Sequence, residues 1–265
     1  MAHRQHRDRA AGPEDRPAAA RVAPDPALTA AATAARTLTA ELERLGSPER
    51  AVSERAYLKS EYTHLGVGVP AVRGVARRYV RGARPGHDEL VALVDELWES
   101  AVYERRLLGV ELVLASPRVW SPADLVWMEG LLRRCHTWAL VDGLAAHGVG
   151  RVVARDPAGF PTLDRWVGDH DMWVRRSAVL ALRDLVRDGR EWDRFERYAD
   201  TLLDEREFFI RKVLGWVARE AARRHPELVS PWVRANLARL NGVTLREAVK
   251  YLPDGDDLLA AWKQR

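Results

Sequence analysis

Cysteine is nearly missing from this chain: 265 residues contain one, Cys135. A single thiol excludes an intramolecular disulfide and any Cys-rich zinc cluster, and it fits a reducing compartment. Cys135 itself reads as a small buried hydrophobe. Long apolar runs are missing as well. No stretch approaches the roughly 18 apolar residues of a membrane span. The N-terminus, MAHRQHRDRAAGPEDRPAAARVAPDP, carries charges and prolines where a signal peptide needs a continuous apolar core. The expectation is a cytoplasmic protein whose residues 1–26 form a disordered leader, with His3 and His6 solvated in that tail.

Several site signatures are also lacking. Nothing resembles a nucleophile triad, a phosphate-binding glycine loop or a metal-ligand cluster, so no cofactor is expected. Gly66 and Gly68 in HLGVGVP have neither the preceding strand nor the spacing of a dinucleotide fingerprint, and they read as a turn before a helix. Asp254-Gly255-Asp256-Asp257 lacks the remaining ligands of a calcium loop and reads as a polar turn. Asp169-His170-Asp171 reads as a loop ending in a helix N-cap at Asp171.

What the chain does have is helix. From Ala27 onward apolar residues recur at three and four, without the alternating runs that mark strands. Ser121-Pro122 with Asp124, His225-Pro226 with Glu227, and Ser230-Pro231 look like capped helix starts with proline in the first turn. The pattern predicts helices over about 27–46, 49–64, 70–82, 87–99, 102–115, 122–135, 138–154, 158–167, 171–188, 191–204, 207–224, 226–239 and 244–251. Short loops and helix pairs of about 35–40 residues point to stacked helical hairpins of the HEAT kind, with a globular bundle as the alternative. The expected architecture is therefore one all-α, HEAT-like helical-repeat solenoid over residues 27–265, whose concave face suits a long partner.

Charge is balanced in number, with 42 Lys and Arg against 38 Asp and Glu, so position matters more than total. Three segments place a tryptophan and an ion on one helix face: Trp138 with Asp142, Trp173 with Arg176, and Trp216 with Arg219. On helix 171–188, Arg176, Arg183 and Arg187 lie within about 20° of one direction, opposite Val174, Ala178, Leu182 and Leu185. On helix 207–224, Lys212, Trp216, Arg219 and Arg223 share a face opposite Ile210, Val213, Val217 and Ala221. Guanidinium groups bind phosphates bidentately and an indole stacks on a sugar or base, so the pattern points to a nucleic acid. The plainer reading is that the arginines solubilise an outer face and their stems cover Trp216. Asp142, one turn beyond Trp138 on a mostly apolar helix, is either hydrogen-bonded structurally or held in a site.

The segments YLKSEYTHLGVGVPAVR, ELWESAVYERR, HTWALVDGLAAHGVG, MWVRRSAVLAL and EFFIRKVLGWVAREAARRHPELV, between Tyr57 and Tyr251, resemble the AlkD-like DNA alkylation repair glycosylases in order and spacing. The resemblance implies hydrolysis of the N-glycosidic bond of purines alkylated at N3 or N7 in double-stranded DNA, leaving an abasic site. It further implies no cofactor, a monomer, and a cytoplasmic, nucleoid-associated location. It places the catalytic aspartate on Asp142, the site tryptophans on Trp138 and Trp216, and the phosphate-contacting arginine on Arg176. Arg219 and Lys212 match basic positions expected to contact the DNA backbone, and Arg183, Arg187 and Arg223 extend that surface. Where many relatives read Trp-Trp-Asp this chain reads Thr137-Trp138-Ala139, and Gly68 replaces a larger polar residue. Both changes would enlarge the site toward bulky adducts, including those of DNA-alkylating natural products. The rival readings are a non-catalytic protein that binds damaged DNA and a HEAT-type protein-interaction scaffold.

Overall fold

The computed structural model describes residues 26–264. The described chain is all-α, a helical-repeat fold without strands among these residues. Its helices are α1 (Pro26–Leu45), α2 (Pro48–Leu58), α3 (Val69–Ala83), α4 (His87–Trp98), α5 (Tyr103–Ala115), α6 (Leu125–Arg133), α7 (Trp138–Gly143), α8 (Gly150–Arg155), α9 (Phe160–Trp166), α10 (Met172–Ala181), α11 (Arg183–Arg187), α12 (Trp192–Leu202), α13 (Phe208–Ala222), α14 (Pro226–Ala235), α15 (Gly242–Ala248) and α16 (Gly255–Lys263). The leader expected over 1–26, with His3 and His6, lies outside the described residues, save that Pro26 already opens α1.

One continuous apolar core runs through the stack. Helices α3, α4 and α5 pack on one another with α1 against α4, and α13 gathers α10, α11, α14 and α15 around it. The apolar faces read from the periodicity are the buried ones: Ile210, Val213, Val217 and Ala221 on α13 are fully covered, as are Val174 and Ala178 on α10. Cys135 is fully buried too.

Local chemistry sets the helix ends. Ser121 and Asp124 form the expected reciprocal cap, the Asp124 carboxylate accepting from the Ser121 N–H at 2.7 Å. Asp171 caps α10 by accepting from the Trp173 N–H at 2.7 Å. Four expectations are corrected. Helix 49–64 stops at Leu58, because Lys59 turns left-handed at φ 49° and the chain leaves to reach α5. Helix 171–188 breaks at Leu182 into α10 and α11. Pro231 sits inside α14 rather than starting a helix. The Asp254–Asp257 stretch is not a free turn: it opens α16, with Asp256 and Asp257 in the first turn, where the helix dipole favours them.

The segment between α2 and α3 is held by one buried carboxylate. Glu104 accepts from the N–H groups of Leu65 (2.9 Å), Gly66 (2.6 Å) and Val67 (3.1 Å). Gly66 has φ 77°, and a Cβ there would lie 2.1 Å from the Ser47 carbonyl oxygen, so no side chain fits. Tyr62 then points into the middle of the molecule. Its hydroxyl lies 3.1 and 3.0 Å from the Arg134 and Cys135 carbonyls, and Arg106 donates to it at 2.9 Å.

A second buried carboxylate ties α6 to α9. Glu129 accepts from Arg133 and Arg165 at 2.6 Å each and from the Trp166 indole at 2.7 Å. Burial alone would raise its pKa, but those hydrogen bonds outweigh it and bring Glu129 down to about 2 from an ordinary 4.5. A depressed folded-state value stabilises the fold above the unfolded value and loses that contribution as the pH falls through about 4.5 toward 2. The difference is worth on the order of 3 kcal/mol at neutral pH. Glu129→Gln is therefore expected to lower the thermal midpoint at pH 7 by about 6–12 °C, and to flatten the acid limb of stability. Thermal unfolding followed by circular dichroism from pH 7 to pH 2 checks both; an unchanged midpoint would show that the network contributes nothing.

Candidate active site

The segment Arg134–Thr137, tied down by Tyr62 and Arg106, delivers the chain into α7. His136 takes a left-handed turn at φ 49° and Thr137 is extended, so the helix opens at Trp138. Trp138 and Asp142 then share a face one turn apart, as their spacing required. Beyond Gly143 the helix does not end. It widens into a π-helical stretch, Leu144–Val149, before tightening again as α8. The Gly150 N–H bonds back to the Ala145 carbonyl, five residues away. Such π segments recur at functional sites because they shift the register of one helix face against another. Gly150 also permits contact with α10, since a Cβ there would meet the Ala181 carbonyl oxygen at 2.9 Å.

Asp142 faces Arg176 of α10. The guanidinium grips both carboxylate oxygens, Nε to Oδ1 and Nη2 to Oδ2, each at 2.8 Å. Its Nη1 donates to the Phe209 carbonyl at the start of α13, at 2.6 Å. The Arg176 side chain is 3% exposed and that of Asp142 16%. This departs from the expected arginine stripe. Arg176 is buried and committed to an acid, while Arg183 and Arg187, beyond the helix break, pair with Asp184. The helix is interrupted at Leu182 and its Arg176 side is covered rather than solvated, so the three arginines do not form one stripe.

Above the pair lies a cleft of about 730 Å³. Asp142, Arg176, Trp138, Trp173, Phe209, Trp216 and Lys212 line it, and the strongly exposed Tyr57 and Phe208 stand at its mouth with Lys59 and His136. Tyr57 meets Trp138 edge-on with ring centroids 6.0 Å apart, and Trp173 leans on Phe209 at 5.0 Å. The structure thus brings together Asp142, Trp138, Trp216, Arg176 and Lys212. Sequence reasoning missed Tyr57, Lys59, His136, Phe208 and Phe209. Tyr57 was placed inside an overlong helix, and Phe208 and Phe209 look like core residues until the end of α13 is seen at the mouth.

Of the expected cations, Arg183, Arg187, Arg219 and Arg223 do not line the cleft. Arg219 and Lys212 both pair with Glu247 of α15. Burial opposes ionisation of Glu247, but the Lys212 hydrogen bond and the Arg219 charge hold its carboxyl below the usual range. Arg183 lies over the face of Trp216, 5.8 Å from its centroid, and Arg223 over Tyr251 at 4.2 Å. Behind Trp138 a smaller chamber of about 290 Å³ adjoins the cleft, sharing Tyr57, Leu58 and Trp138 with it and lined also by Ala139 and Gly143. Gly68, expected to widen the site, instead caps α3 beside the Arg50 guanidinium, outside the cleft lining.

A half-buried carboxylate held by a buried, bidentate arginine, ringed by indoles and open to solvent through an aromatic mouth, can stabilise a cation that enters from outside. No helix of the described chain is long and apolar enough to cross a membrane. No curated protein matches the chain. The solved structure of a protein titled a predicted DNA alkylation repair enzyme, from Enterococcus faecalis, shares its fold with a TM-score of 0.72 at 21% identity. The match covers 78% of this chain and 97% of that one. The family model described as DNA alkylation repair enzyme matches residues 38–252, through every element that builds the cleft. The chain belongs to the DNA alkylation repair enzyme family.

Proposed function

We propose that the protein is a monofunctional DNA glycosylase that hydrolyses the N-glycosidic bond of cationic N3- or N7-alkylated purines in double-stranded DNA. The observation that carries this reading is the Asp142–Arg176 pair at the base of an indole-lined cleft. Alkylation at N3 or N7 gives the base a positive charge, so it leaves as a neutral molecule and needs little help from a general acid. Heterolysis of the C1′–N bond sends the electron pair to the base and leaves an oxocarbenium-like deoxyribose. Asp142 stabilises that charge and positions the water that attacks C1′; the water's proton passes to the carboxylate or to solvent. Trp138 and Trp216 hold the sugar by face contacts that favour its cationic form.

Arg176 acts here as a positioning residue, because each of its three nitrogens is engaged by Asp142 or the α13 backbone and its side chain is buried. Backbone phosphates fall to Lys59 and Lys212 at the cleft, with Arg183, Arg187, Arg219 and Arg223 further along. The openness of the mouth, the chamber beside Ala139 and the exposed Tyr57 and Phe208 favour adducts larger than methyl, as no closed pocket has to enclose the lesion.

The test is base release from a duplex carrying one N7-methylguanine, wild type beside Asp142→Asn, with alkaline cleavage of abasic sites. Wild type is expected to release the base, and Asp142→Asn to be slower by at least about 100-fold, as for removal of one oriented stabilising group. Release at an undiminished rate would remove Asp142 from the mechanism. A bulky N3-adenine adduct in parallel reads substrate size, and clear preference for methyl would sink the larger-adduct reading.

Arg176→Lys keeps the charge but loses the bidentate grip, so excision is expected to fall by about 10-fold or more with DNA affinity within about twofold of wild type. A large loss of affinity with intact excision would instead make Arg176 a phosphate contact. DNA affinity should also weaken steeply between about 50 and 200 mM salt, since each phosphate neutralised adds close to one unit of slope to log K against log salt. Binding indifferent to salt would favour an apolar protein-interaction scaffold.

A further inference from the structure

Among the described residues, the fold assembles one cluster of ligand-bearing side chains that the cleft does not use. Glu54 on α2, His64 in the following loop and Glu104 on α5 bring a ring nitrogen and two carboxylate oxygens within 4.8 Å of one another. His64 is 1% exposed in its side chain, and its ring stacks on Tyr103 with centroids 4.7 Å apart. Neither of its ring nitrogens has a hydrogen-bond partner. Nδ1 faces Oε2 of Glu54 at 3.6 Å, and that oxygen is also buried without a hydrogen bond. Burying unpaired polar atoms is costly, and native proteins rarely leave three together.

We propose that Glu54, His64 and Glu104 bind a divalent transition-metal ion of the zinc class. An imidazole with two carboxylates is the mixed nitrogen and oxygen set that zinc, cobalt and nickel accept, whereas magnesium and calcium prefer oxygen alone. Two carboxylates also neutralise a doubly charged ion, which removes the electrostatic obstacle to burying it. Glu104 keeps a coordination position free. Of its roughly four lone-pair sites, Oε1 gives two to the Gly66 and Val67 N–H groups, and Oε2 gives one to Leu65. Among the described residues Glu54 is held otherwise only by Arg50, whose Nη2 lies 3.7 Å from Oε1, which leaves the side chain room to draw inward. Some inward movement is required, because bonds of about 2.0–2.1 Å set tetrahedral ligand atoms about 3.4 Å apart. Glu54 and Tyr103 also line the chamber behind Trp138, so the cluster borders that space. Once bound, it ties α2 to α5 and fixes the helix end that carries Tyr57, Leu58 and Lys59 into the cleft. The inference rests on these residues alone and stands apart from the reaction assigned to Asp142.

The experiment titrates metal-free full-length protein with ZnCl₂ by calorimetry and with CoCl₂ by visible absorption, and follows thermal unfolding with and without Zn²⁺. His64→Phe keeps an apolar ring against Tyr103 and removes the nitrogen ligand; Glu54→Gln removes a carboxylate. Wild type is expected to bind one ion with a Kd of about 10 µM or tighter, to show the cobalt bands of a low-coordinate site, and to unfold about 5 °C higher at saturating metal. Both variants should bind at least about 10-fold more weakly. Absence of binding below about 100 µM in wild type, or undiminished binding in the variants, overturns the proposal. If His64→Phe does not fold by far-ultraviolet circular dichroism, Glu54→Gln decides alone.

Discussion

The contact on which the site depends is the Arg176–Asp142 ion pair. Neither group can be buried by itself, since the cost of taking a lone charge out of water far exceeds what packing returns. Together, with both carboxylate oxygens engaged and the third guanidinium nitrogen on the Phe209 carbonyl, they can be buried, and in doing so they fix three helices at once. Helix α7 supplies the acid, α10 the base, and α13 the carbonyl. Those helices also carry Trp138, Trp173, Phe209 and Trp216, so the pair sets where the walls of the cleft stand. Truncating one partner would leave the other buried and uncompensated, a cost of about 3–5 kcal/mol in comparable cases.

Support from outside the cleft follows the same rule of one buried polar group serving several elements. Glu104 holds the loop that ends α2, Tyr62 and Arg106 hold the carbonyls ahead of α7, and Glu129 gathers α6 and α9. Left-handed residues sit at the seams: Lys59 and His136, two of the four non-glycine residues with positive φ among the described residues, both line the cleft. Sparsely populated backbone conformations persist only where surroundings over-determine them, and they concentrate at functional sites. Here they turn short chain segments sharply enough to put side chains from α2 and α7 opposite one another.

Much of the fold was legible because helical periodicity is local. The buried faces of α10 and α13 follow from spacing alone, and so does the shared face of Trp138 and Asp142. What depended on two distant segments was not legible. Arg176 carries the same helical signature whether it faces solvent or a neighbour, and only the position of α7 decides that it faces Asp142. Glu247 could not be seen to offset Lys212 and Arg219, because it arrives on another helix. Tyr57 and Phe208 escaped notice because their importance lies in standing at helix ends beside the mouth, and helix ends are where periodicity runs out. The missed α16 is a related case: its opening Asp254-Gly255-Asp256-Asp257 has the composition of a turn, and what makes it a helix start is acid placed at the positive end of the dipole.

The geometry also bears on why an open cleft suffices for the proposed chemistry. A lesion that is already cationic does not need a pocket that protonates or encloses it; it needs a negative charge held still where the sugar's charge develops. A freely rotating carboxylate would have to be oriented during the reaction, at a cost that erodes its benefit. Asp142 is oriented in advance, by two hydrogen bonds to a guanidinium that is itself fixed by backbone. It stands on the last α-helical turn before the backbone widens into the π segment. In the proposed reaction the fixed carboxylate lies beneath the sugar, and the side open to solvent lies above it, at the exposed rings of Tyr57 and Phe208. Under that proposal the size of the adduct can vary without disturbing the carboxylate assigned to the bond.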